Sequence, residues 1–274
     1  MTATHASTAR PIALITGASS GIGATYADRL ARRGFDLVLV ARRADRLEQL
    51  AVQLMQAHGA RCEALAADLT DPVALARVEA RLAVGDIECF VNNAGIAVTG
   101  PVLASDPQVL TRQVLLNVLA PTRLARAALP AMKVRGHGTL INMASVVAFM
   151  AERGVLGAGY CASKAYVLTL SEGLGAELAG TGVRVQAVLP GVTRTALWDE
   201  AGPLLDRLPA AMVMDVGDMV DAALVGLDMG ETITVPALPD MADLDALLAA
   251  RRALHPNLSH RAPASRYHVT PARA

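Results

Sequence analysis

Short apolar runs alternate with longer amphipathic segments along most of the chain. Each of the first six apolar runs leads into a loop and then into a helical pattern, which is the repeat of βαβ units in a parallel sheet. The pattern therefore predicts an α/β fold with a doubly wound, seven-stranded parallel sheet and helices on both faces. The predicted strands are Ile12–Thr16, Phe35–Ala41, Arg61–Ala66, Ile87–Asn92, Thr139–Met143, Val183–Leu189 and Thr232–Val235.

No internal repeat, long linker or low-complexity block divides the chain, so the pattern predicts one domain over 10–255. Residues 1–9 are expected to form a flexible N-terminus, and the tail 256–274 has no periodicity and is expected to lie on the surface or be disordered. The segment 193–215 is apolar without clean periodicity and is interrupted by glycine and proline. It is either a short flap over a substrate or an ordinary loop.

Composition narrows the class of protein. The chain of 274 residues is 53% hydrophobic but only 3% aromatic, which suits helices packed on a parallel sheet. Lys+Arg and Asp+Glu both number 25, so no net charge favours nucleic acid or an anionic membrane as a partner. The longest apolar stretch is shorter than the roughly 20 residues of a membrane span. Without a secretory core at the start of the chain, we expect a cytoplasmic protein.

The cysteines argue against a metal site. Cys62, Cys89 and Cys161 are an odd number without metal-ligand spacing, and we interpret them as reduced thiols. No metal is therefore expected, and Cys161 is expected to serve packing rather than chemistry.

A glycine-rich loop follows the first predicted strand. Gly17, Gly21 and Gly23 lie within the sequence TGASSGIG (16–23), and a helical pattern follows. Glycine permits a positive φ and lets a pyrophosphate approach the backbone, where the next helix presents free N–H groups to the anion. The loop therefore indicates a dinucleotide site, although a tight strand-to-helix turn alone would use the same residues.

The end of the second predicted strand distinguishes NADP(H) from NAD(H). An acidic residue at this point would bind the ribose hydroxyls and repel a 2′-phosphate. This chain instead has Arg42 and Arg43, and Arg42 can pair with a phosphate through its planar fork, with Ser19 or Ser20 as further donors. The pattern favours NADP(H), with NAD(H) less expected; the alternative is that both arginines only begin a solvated helix.

Tyr160 and Lys164 are four residues apart at the start of a helical pattern, and so lie on one face. A free phenol has a pKa of about 10, and it is a poor acid–base catalyst near neutrality unless that pKa falls. We expect the ammonium, a cationic nicotinamide and the helix N-terminus to lower the pKa by about 3 units, which corresponds to roughly 4 kcal/mol.

Taken together, these motifs resemble the short-chain dehydrogenase/reductase family of single-domain Rossmann enzymes over about residues 10–235. The motifs occur in the family's order: TGASSGIG (16–23), Asp68, Asn92 to Gly95, Asn117, Ser145, Tyr160 with Lys164, and Pro190 to Thr195.

The resemblance implies that Tyr160 transfers the proton of the carbonyl or alcohol and that Ser145 holds its oxygen. Lys164 would bind the nicotinamide ribose, and Asn117 would hold a water that links Lys164 to solvent. The cofactor-binding residues implied by the loop, the arginines and the resemblance are Gly17, Ser19, Ser20, Gly21, Ile22, Gly23, Arg42, Arg43, Asp68, Leu69, Asn92, Ala94, Gly95, Tyr160, Lys164, Pro190, Gly191, Val192, Thr193 and Thr195.

Three of these positions have simpler interpretations. Ser145 can be a loop cap, Asn117 a tolerated polar residue in a helix, and Asp68 a residue at a helix N-terminus. For Asn117 one neighbour favours a function, because Pro121 has no N–H to return to the Asn117 carbonyl. We therefore expect a kink or bulge there, with the carbonyl free to bind the relay water.

The chain departs from the family in one place. Ser145 and Tyr160 are fifteen positions apart, against about thirteen in the family, which lengthens the loop Val146–Gly159 beside the expected substrate site. Apolar residues in this loop and in the flap predict a hydrophobic ketone, aldehyde or secondary alcohol as substrate. They are Val146, Val147, Phe149, Met150, Val155 and Leu156 in the loop, and Leu197, Trp198, Leu205 and Met214 in the flap.

The predicted function is thus an NADP(H)-dependent oxidoreductase, either a carbonyl reductase or a secondary-alcohol dehydrogenase. Two alternatives stay open. One is a 3-oxoacyl-thioester reductase of lipid or polyketide metabolism, for which Arg123, Arg126 and Arg194 are too scattered to form a carrier-binding patch. The other is a catalytically silent nucleotide-sensing protein. The family also implies a homodimer or homotetramer through the helices around 107–134 and 160–178.

Overall fold

The computed structural model describes residues 9–98, 100–153, 156–195 and 208–269. Its centre is a seven-stranded parallel sheet in the order β3-β2-β1-β4-β5-β6-β7. The predicted Rossmann fold is confirmed, and each predicted strand end lies within one residue of the observed one. The strands are β1 (Ile12–Thr16), β2 (Asp36–Ala41), β3 (Cys62–Ala66), β4 (Ile87–Asn92), β5 (Gly138–Met143), β6 (Val183–Val188) and β7 (Ile233–Thr234).

Helices connect the strands and cover both faces of the sheet. They are α1 (Gly21–Arg32), α2 (Ala44–His58), α3 (Pro72–Ala83), α4 (Pro107–Val114), α5 (Ala120–Arg135), α6 (Ala158–Glu177) and α7 (Val216–Asp228); a further helix, α8 (Ala242–Ala253), follows the last strand. The segment Leu115–Leu119 joins α4 to α5 as a π-helical turn. None of the helices in the described part of the chain is both long and apolar enough to cross a membrane.

Two apolar layers form the core, one on each face of the sheet. Successive residues of β1 alternate between them, because side chains along a strand point to opposite faces. Ile15 packs in the layer that contains Tyr26 of α1 and Met219 of α7. Leu14 packs in the layer that contains Leu75 of α3 and Leu124 of α5.

The strand order reverses next to β1, since β2 and β3 lie on one side of it and β4 to β7 on the other. The loops after β1 and β4 therefore diverge, and a crevice opens at the carboxyl ends of these strands. Most residues of the sequence motifs lie in this crevice.

The chain divides into two compact units, Met1–Pro236 and Ala237–Ala274. The first contains the whole sheet with α1 to α7. The second contains α8 and two short 3-10 turns, His255–Asn257 and Ser265–Tyr267. The predicted end of the domain, residue 255, lies just after α8, and residues 256–269 are exposed.

Candidate active site

A cleft of about 720 Å³ lies at the carboxyl ends of the central strands. Its volume falls within the range of about 300–1,000 Å³ that is typical of ligand pockets. Most of the predicted site residues line it: Gly17, Ser19, Ser20, Gly21, Ile22, Arg42, Arg43, Asp68, Leu69, Ala94, Gly95, Ser145, Tyr160, Lys164, Pro190, Gly191, Thr193 and Thr195.

Four predicted site residues do not line the cleft and lie behind it. A Cβ on Gly23 would be 2.3 Å from the Gly17 carbonyl oxygen, so Gly23 allows close packing of α1 on the loop. Val192 packs against the apolar cluster around Tyr160. The remaining two are Asn92, at the end of β4, and Asn117, in the π-helical turn.

Asn92 belongs to a buried chain of polar side chains under the cleft. Its Nδ2 donates to the Pro121 carbonyl and to Asn142 Oδ1, both at 3.0 Å. Asn142 Nδ2 donates in turn to Ser171 Oγ at 2.9 Å. These bonds connect β4 and β5 to α5 and α6, so Asn92 supports the site from below.

The glycine loop is shaped for close approach of a ligand. Gly17 has φ +69° and Gly21 has φ +54°, conformations that favour glycine. Asn93 Nδ2 donates to the Thr16 carbonyl at 2.8 Å. A Cβ on Gly17 would lie 2.8 Å from that same Nδ2, so the amide and the loop occupy the space that a side chain would need. The loop leads into α1, whose first turn has no acidic residue to compete with an anion.

Three exposed arginines stand at one end of the cleft: Arg42, Arg43 and Arg46. Arg43 Nη2 donates to Ser19 Oγ at 3.4 Å, which joins the start of α2 to the glycine loop. Arg46 is a lining residue that the sequence analysis missed. Arg46 is in the first turn of α2 whereas Arg42 precedes the helix, so helical spacing does not pair the two and only the structure brings them to one cleft.

Asp68 lies between the arginine end and the middle of the cleft. Its Oδ1 accepts from Thr70 N at 2.9 Å and Thr70 Oγ1 at 2.7 Å, and Arg112 Nη2 lies 3.3 Å from Oδ2. Burial alone would raise the pKa of Asp68, but the Thr70 hydrogen bonds and the charges of Arg112 and Arg42 hold it below its usual value. The N-cap of α3 is Asp71 rather than Asp68, so Asp68 does not cap that helix.

Tyr160 and Lys164 lie at the opposite end, in the first two turns of α6, and both are buried. Lys164 Nζ donates to the Met143 carbonyl at 2.8 Å and lies 5.9 Å from the centre of the Tyr160 ring. Burial lowers the pKa of Lys164 to about 8. Burial also raises the pKa of Tyr160 above its ordinary value of 10.0. Desolvation explains both shifts, because it disfavours whichever form carries the charge.

The expected lowering of the Tyr160 pKa counted the charges of Lys164, a cationic nicotinamide and the helix N-terminus together, and it stays a prediction for the site with its cofactor. Desolvation of the phenolate is the largest cause of the raised phenol pKa in the protein alone. The chain by itself therefore keeps Tyr160 protonated at neutral pH, as a general acid must be.

Ser145 follows β5 and faces the cleft beside Tyr160. Its Oγ accepts from Val147 N at 3.4 Å and donates to the Pro190 carbonyl at 3.3 Å. The hydroxyl thus does cap the following 3-10 turn, Val146–Phe149, as its simpler interpretation proposed. Both bonds are long and weak, so this capping leaves the hydroxyl able to bind a substrate oxygen.

Asn117 lies in the middle of the π-helical turn, 2% exposed. Its Oδ1 accepts from Ile96 N at 3.0 Å, and its Nδ2 donates to the Ile96 carbonyl at 2.8 Å and to Ser163 Oγ at 3.1 Å. The expected bulge is present, since the N–H of Ala120 bonds to the carbonyl of Leu115, five residues earlier. The relay water on the Asn117 carbonyl stays a prediction.

Other lining residues were not predicted. Asn93 stands inside a quoted motif, and its role in holding the glycine loop can be read only from the structure. The apolar lining residues have side chains that indicate no catalytic or binding role in the sequence, among them Ile96, Leu116, Met143 and Ala144. The full set of additional lining residues is Val40, Ala41, Arg46, Ala67, Asn93, Ile96, Arg112, Leu116, Met143 and Ala144.

The predicted substrate flap is described only at its two ends. Met214 N donates to the Val192 carbonyl at 2.9 Å, and Arg194 N donates to the Met214 carbonyl at 3.0 Å. The backbone at 192–194 therefore pairs with Met214, in agreement with the parallel bridge between Thr193 and Met214. The flap residues Leu197, Trp198 and Leu205, and Val155 of the loop, lie outside the described residues.

Within residues 9–98, 100–153, 156–195 and 208–269, no group of three or more His, Cys, Asp or Glu side chains could hold a metal ion. The three cysteines in this part of the chain are free thiols. Cys161 is buried in the apolar cluster with Val147, Leu156 and Tyr160.

Comparison with known proteins shows the family to which the chain belongs. The family model for short chain dehydrogenases matches residues 11–204. A short-chain dehydrogenase from Sphingobium yanoikuyae, solved in complex with NADPH, is 48% identical with a TM-score of 0.90, covering 94% of this chain and 99% of that one. A bulky-bulky ketone specific alcohol dehydrogenase from Comamonas testosteroni is 43% identical with a TM-score of 0.86, covering 94% and 98%.

A more distant relative is very-long-chain 3-oxoacyl-CoA reductase-A from Danio rerio. It is 30% identical over 199 residues, which make up 71% of this chain and 62% of that protein. The chain therefore spans less than two thirds of that relative.

The chain belongs to the short-chain dehydrogenase/reductase family and is an oxidoreductase of CH–OH and C=O groups that uses a nicotinamide cofactor. The family and the fold predicted from the sequence are confirmed.

Proposed function

We propose that this protein is an NADPH-dependent reductase of ketones with apolar substituents. One observation carries the proposal: a single cleft has three exposed arginines at one end and the buried Tyr160 and Lys164, with Ser145, at the other. The arginine end suits an anionic phosphate group, and the buried end suits proton transfer to a carbonyl oxygen.

The residues present fit a nicotinamide dinucleotide. The glycine loop and the first turn of α1 would hold the pyrophosphate through backbone N–H groups. Arg42, Arg43 and Arg46 would bind a 2′-phosphate, and Asp68 would contact the adenine. Lys164, beside Gly95, would bind the nicotinamide ribose. When bound, the reduced cofactor supplies the hydride, and the protein supplies orientation and charge.

Tyr160 donates the proton that the carbonyl oxygen needs. The phenol carries its proton at neutral pH, since even a free phenol has a pKa of about 10, and Ser145 Oγ would hydrogen-bond the same oxygen and hold it beside the phenol. As the proton leaves, the phenolate is stabilised by the Lys164 ammonium on the same face of α6. Reduction is therefore the direction in which the protein's own protonation states are ready for reaction.

Apolar residues next to Tyr160 favour an apolar substrate. Val147 and Leu156 form a buried cluster with Tyr160, and Ala97 and Val192 pack against it. A charged substituent at this end would lose its hydration without finding an opposite charge among them. The relative from Comamonas testosteroni, specific for ketones with two bulky groups, is consistent with this choice.

A 3-oxoacyl thioester is the second candidate, because a curated relative reduces very-long-chain 3-oxoacyl-CoA. A carrier protein or CoA would need a basic surface at the cleft mouth. Arg123 is paired with Glu79 through two hydrogen bonds, so it is not free to contribute to one. This observation favours the simple ketone.

A spectrophotometric screen tests the proposal. NADPH oxidation is followed with benzophenone, acetophenone, acetone, pyruvate and a 3-oxoacyl-CoA, and each active arm is repeated with NADH. We expect turnover of the aryl ketones, little with pyruvate, and a preference for NADPH. Turnover of the thioester alone would select the second candidate. Absence of turnover in every arm would favour the nucleotide-sensing alternative.

We also propose that the protein acts as a homodimer or homotetramer through α4, α5 and α6. Several apolar side chains on or beside α4 and on α6 are exposed, among them Val109, Val114, Leu119 and Tyr166. Light scattering of the purified protein measures the mass, and a monomer at micromolar concentration would contradict this proposal. A cytoplasmic location also stays a prediction.

A further inference from the structure

Two amide side chains hold the loop that follows β4. Asn117 bonds both the N–H and the carbonyl of Ile96, as described above. Gln113, four residues earlier in α4, accepts the N–H of Val98 through Oε1 at 2.9 Å. Gln113 is 1% exposed, an unusual burial for a glutamine, and the hydrogen bond explains how it is tolerated.

The residue between these two attachment points contacts the catalytic end. Ala97 packs against the apolar cluster that contains Tyr160 and Leu156. Ile96 lines the cleft together with Tyr160. Hydrogen bonds to Ile96 on one side and Val98 on the other therefore fix the position at which Ala97 packs against this cluster.

Gln113 also reaches the start of α6. A Cβ on Gly159, the residue before Tyr160, would lie only 3.1 Å from Gln113 Nε2. Nearby, a Cβ on Gly157 would lie 2.5 Å from the Gly100 carbonyl oxygen. The loop and the first turn of α6 are thus in direct contact, and the Gln113 amide lies between them.

We infer that Gln113 is a positioning residue that sets the space beside the Tyr160 hydroxyl and thereby the choice among ketones. This inference rests on the proposed function, because it concerns the substrate of that same site. Gln113 does not line the cleft itself; it acts through Val98 and Gly159, which flank Ala97 and Tyr160. None of the sequence motifs contains Gln113, and its role follows only from the contacts.

The test replaces Gln113 by methionine, which keeps the length of the side chain but removes the acceptor for the Val98 N–H. The readout is the ratio of kcat/KM for benzophenone to that for acetophenone, or for the nearest such pair that the wild type reduces. This ratio does not depend on the fraction of folded enzyme. Gln56→Met, at an exposed position of α2, is the matched control.

We expect Gln113→Met to change the ratio by about tenfold, the scale on which pocket shape discriminates between substrates, while the Kd for NADPH changes by less than about twofold. Gln113→Glu keeps an acceptor for Val98 and should move the ratio back toward the wild-type value. Gln56→Met should leave it unchanged. If Gln113→Met does not fold, Gln113→Asn, whose amide is one methylene further from Val98, is measured in the same way and should shift the ratio in the same direction.

A wild-type ratio in the folded Gln113 variant, with Gln113→Met and its control indistinguishable, would overturn the inference. A uniform loss of kcat on both ketones with an unchanged ratio would overturn it as well, since that is what a purely structural role produces. Failure of the proposed function looks different: the wild-type enzyme itself would then reduce none of the ketones.

Discussion

The two ends of the cleft differ in how far their charged and titratable side chains are exposed to solvent. At one end, Arg42, Arg43 and Arg46 are exposed to solvent. At the other end, Tyr160 and Lys164 are buried. Desolvation raises the pKa of Tyr160 and lowers that of Lys164, which favours the neutral form of each side chain. The exposed end can select an anion by simple attraction, which salt weakens. The buried end depends on position, because its few hydrogen bonds decide which atom receives a proton.

Because the buried end depends on the exact position of its groups, we expect substitutions there to reduce activity more than substitutions at the arginine end. Tyr160→Phe removes the proton donor while keeping the ring in its apolar cluster, and we expect kcat for ketone reduction to fall by about 10³-fold or more, within the range for general acids. The Kd for NADPH, measured by fluorescence titration, should hardly change.

Tyr166→Phe is the matched control for this variant. Tyr166 is on the same helix but 39% exposed, and its hydroxyl bonds Thr122 Oγ1 at 2.8 Å, away from the cleft. Its kcat should equal that of the wild type. Equal losses in both variants would show that the effect comes from disturbing α6 rather than from proton transfer.

At the arginine end, Arg42→Ala should raise the KM for NADPH by about 10- to 100-fold, the loss of one or two charge-assisted hydrogen bonds worth roughly 1.5–3 kcal/mol. The KM for NADH, which has no 2′-phosphate, should stay within about twofold. The NADPH effect should shrink at high salt. Arg126→Ala, at an exposed position of α5, serves as the control. Equal effects on both cofactors would contradict a phosphate role for Arg42.

The lowered pKa of Lys164 gives the buried end a pH dependence. Below about 8 the lysine is an ammonium and stabilises the phenolate formed when Tyr160 releases its proton; above about 8 that charge is lost. The phenol keeps its proton in this range, because its own pKa is raised. We therefore expect kcat/KM for reduction to be level below pH 8 and to fall by up to about tenfold per unit above it.

Lys164→Arg tests whether deprotonation of Lys164 causes the decline of kcat/KM above pH 8. An arginine stays charged throughout this range. Whatever activity the variant retains should therefore be level across pH 7 to 9. A decline in Lys164→Arg that matches the wild-type decline would assign the titration to another group.

The sequence predicted the strands, the glycine loop and the arginines well, because each depends on a pattern of residue types that is local in the chain. Alternation of apolar runs with helical patterns predicted all seven strands. At the end of β2 the sequence has arginines where an NAD-binding chain would have an acidic residue, and this predicted the arginine end of the cleft. The turn after β1 could be predicted equally well, since glycine adopts a positive φ at little cost, as Gly17 and Gly21 do.

The buried end was predicted less completely. The sequence named Tyr160 and Lys164 but not the desolvation that raises the phenol pKa, because the spacing shows an ammonium nearby and does not show burial. Gln113 and Asn93 were missed for a related reason. An amide residue in a sequence does not indicate a role in the site by itself. Its role depends on which backbone groups the fold brings within hydrogen-bond distance of its side chain.

The smallest effect concerns the support beneath the buried end. Ser171, 4% exposed on α6, accepts from Asn142 Nδ2 and donates to the Val167 carbonyl at 2.7 Å. Ser171→Ala leaves the Asn142 amide without this partner in the core, which should cost about 1–2 kcal/mol of unfolding free energy. Chemical denaturation measures this loss, and the exposed Ser259→Ala should show none. Because Ser171 is three turns from Tyr160, kcat should stay within about twofold of the wild type. A large loss of kcat without a loss of stability would mean that this polar chain positions the acid rather than merely stabilising the sheet, and the division between the two ends of the cleft would then extend into the core.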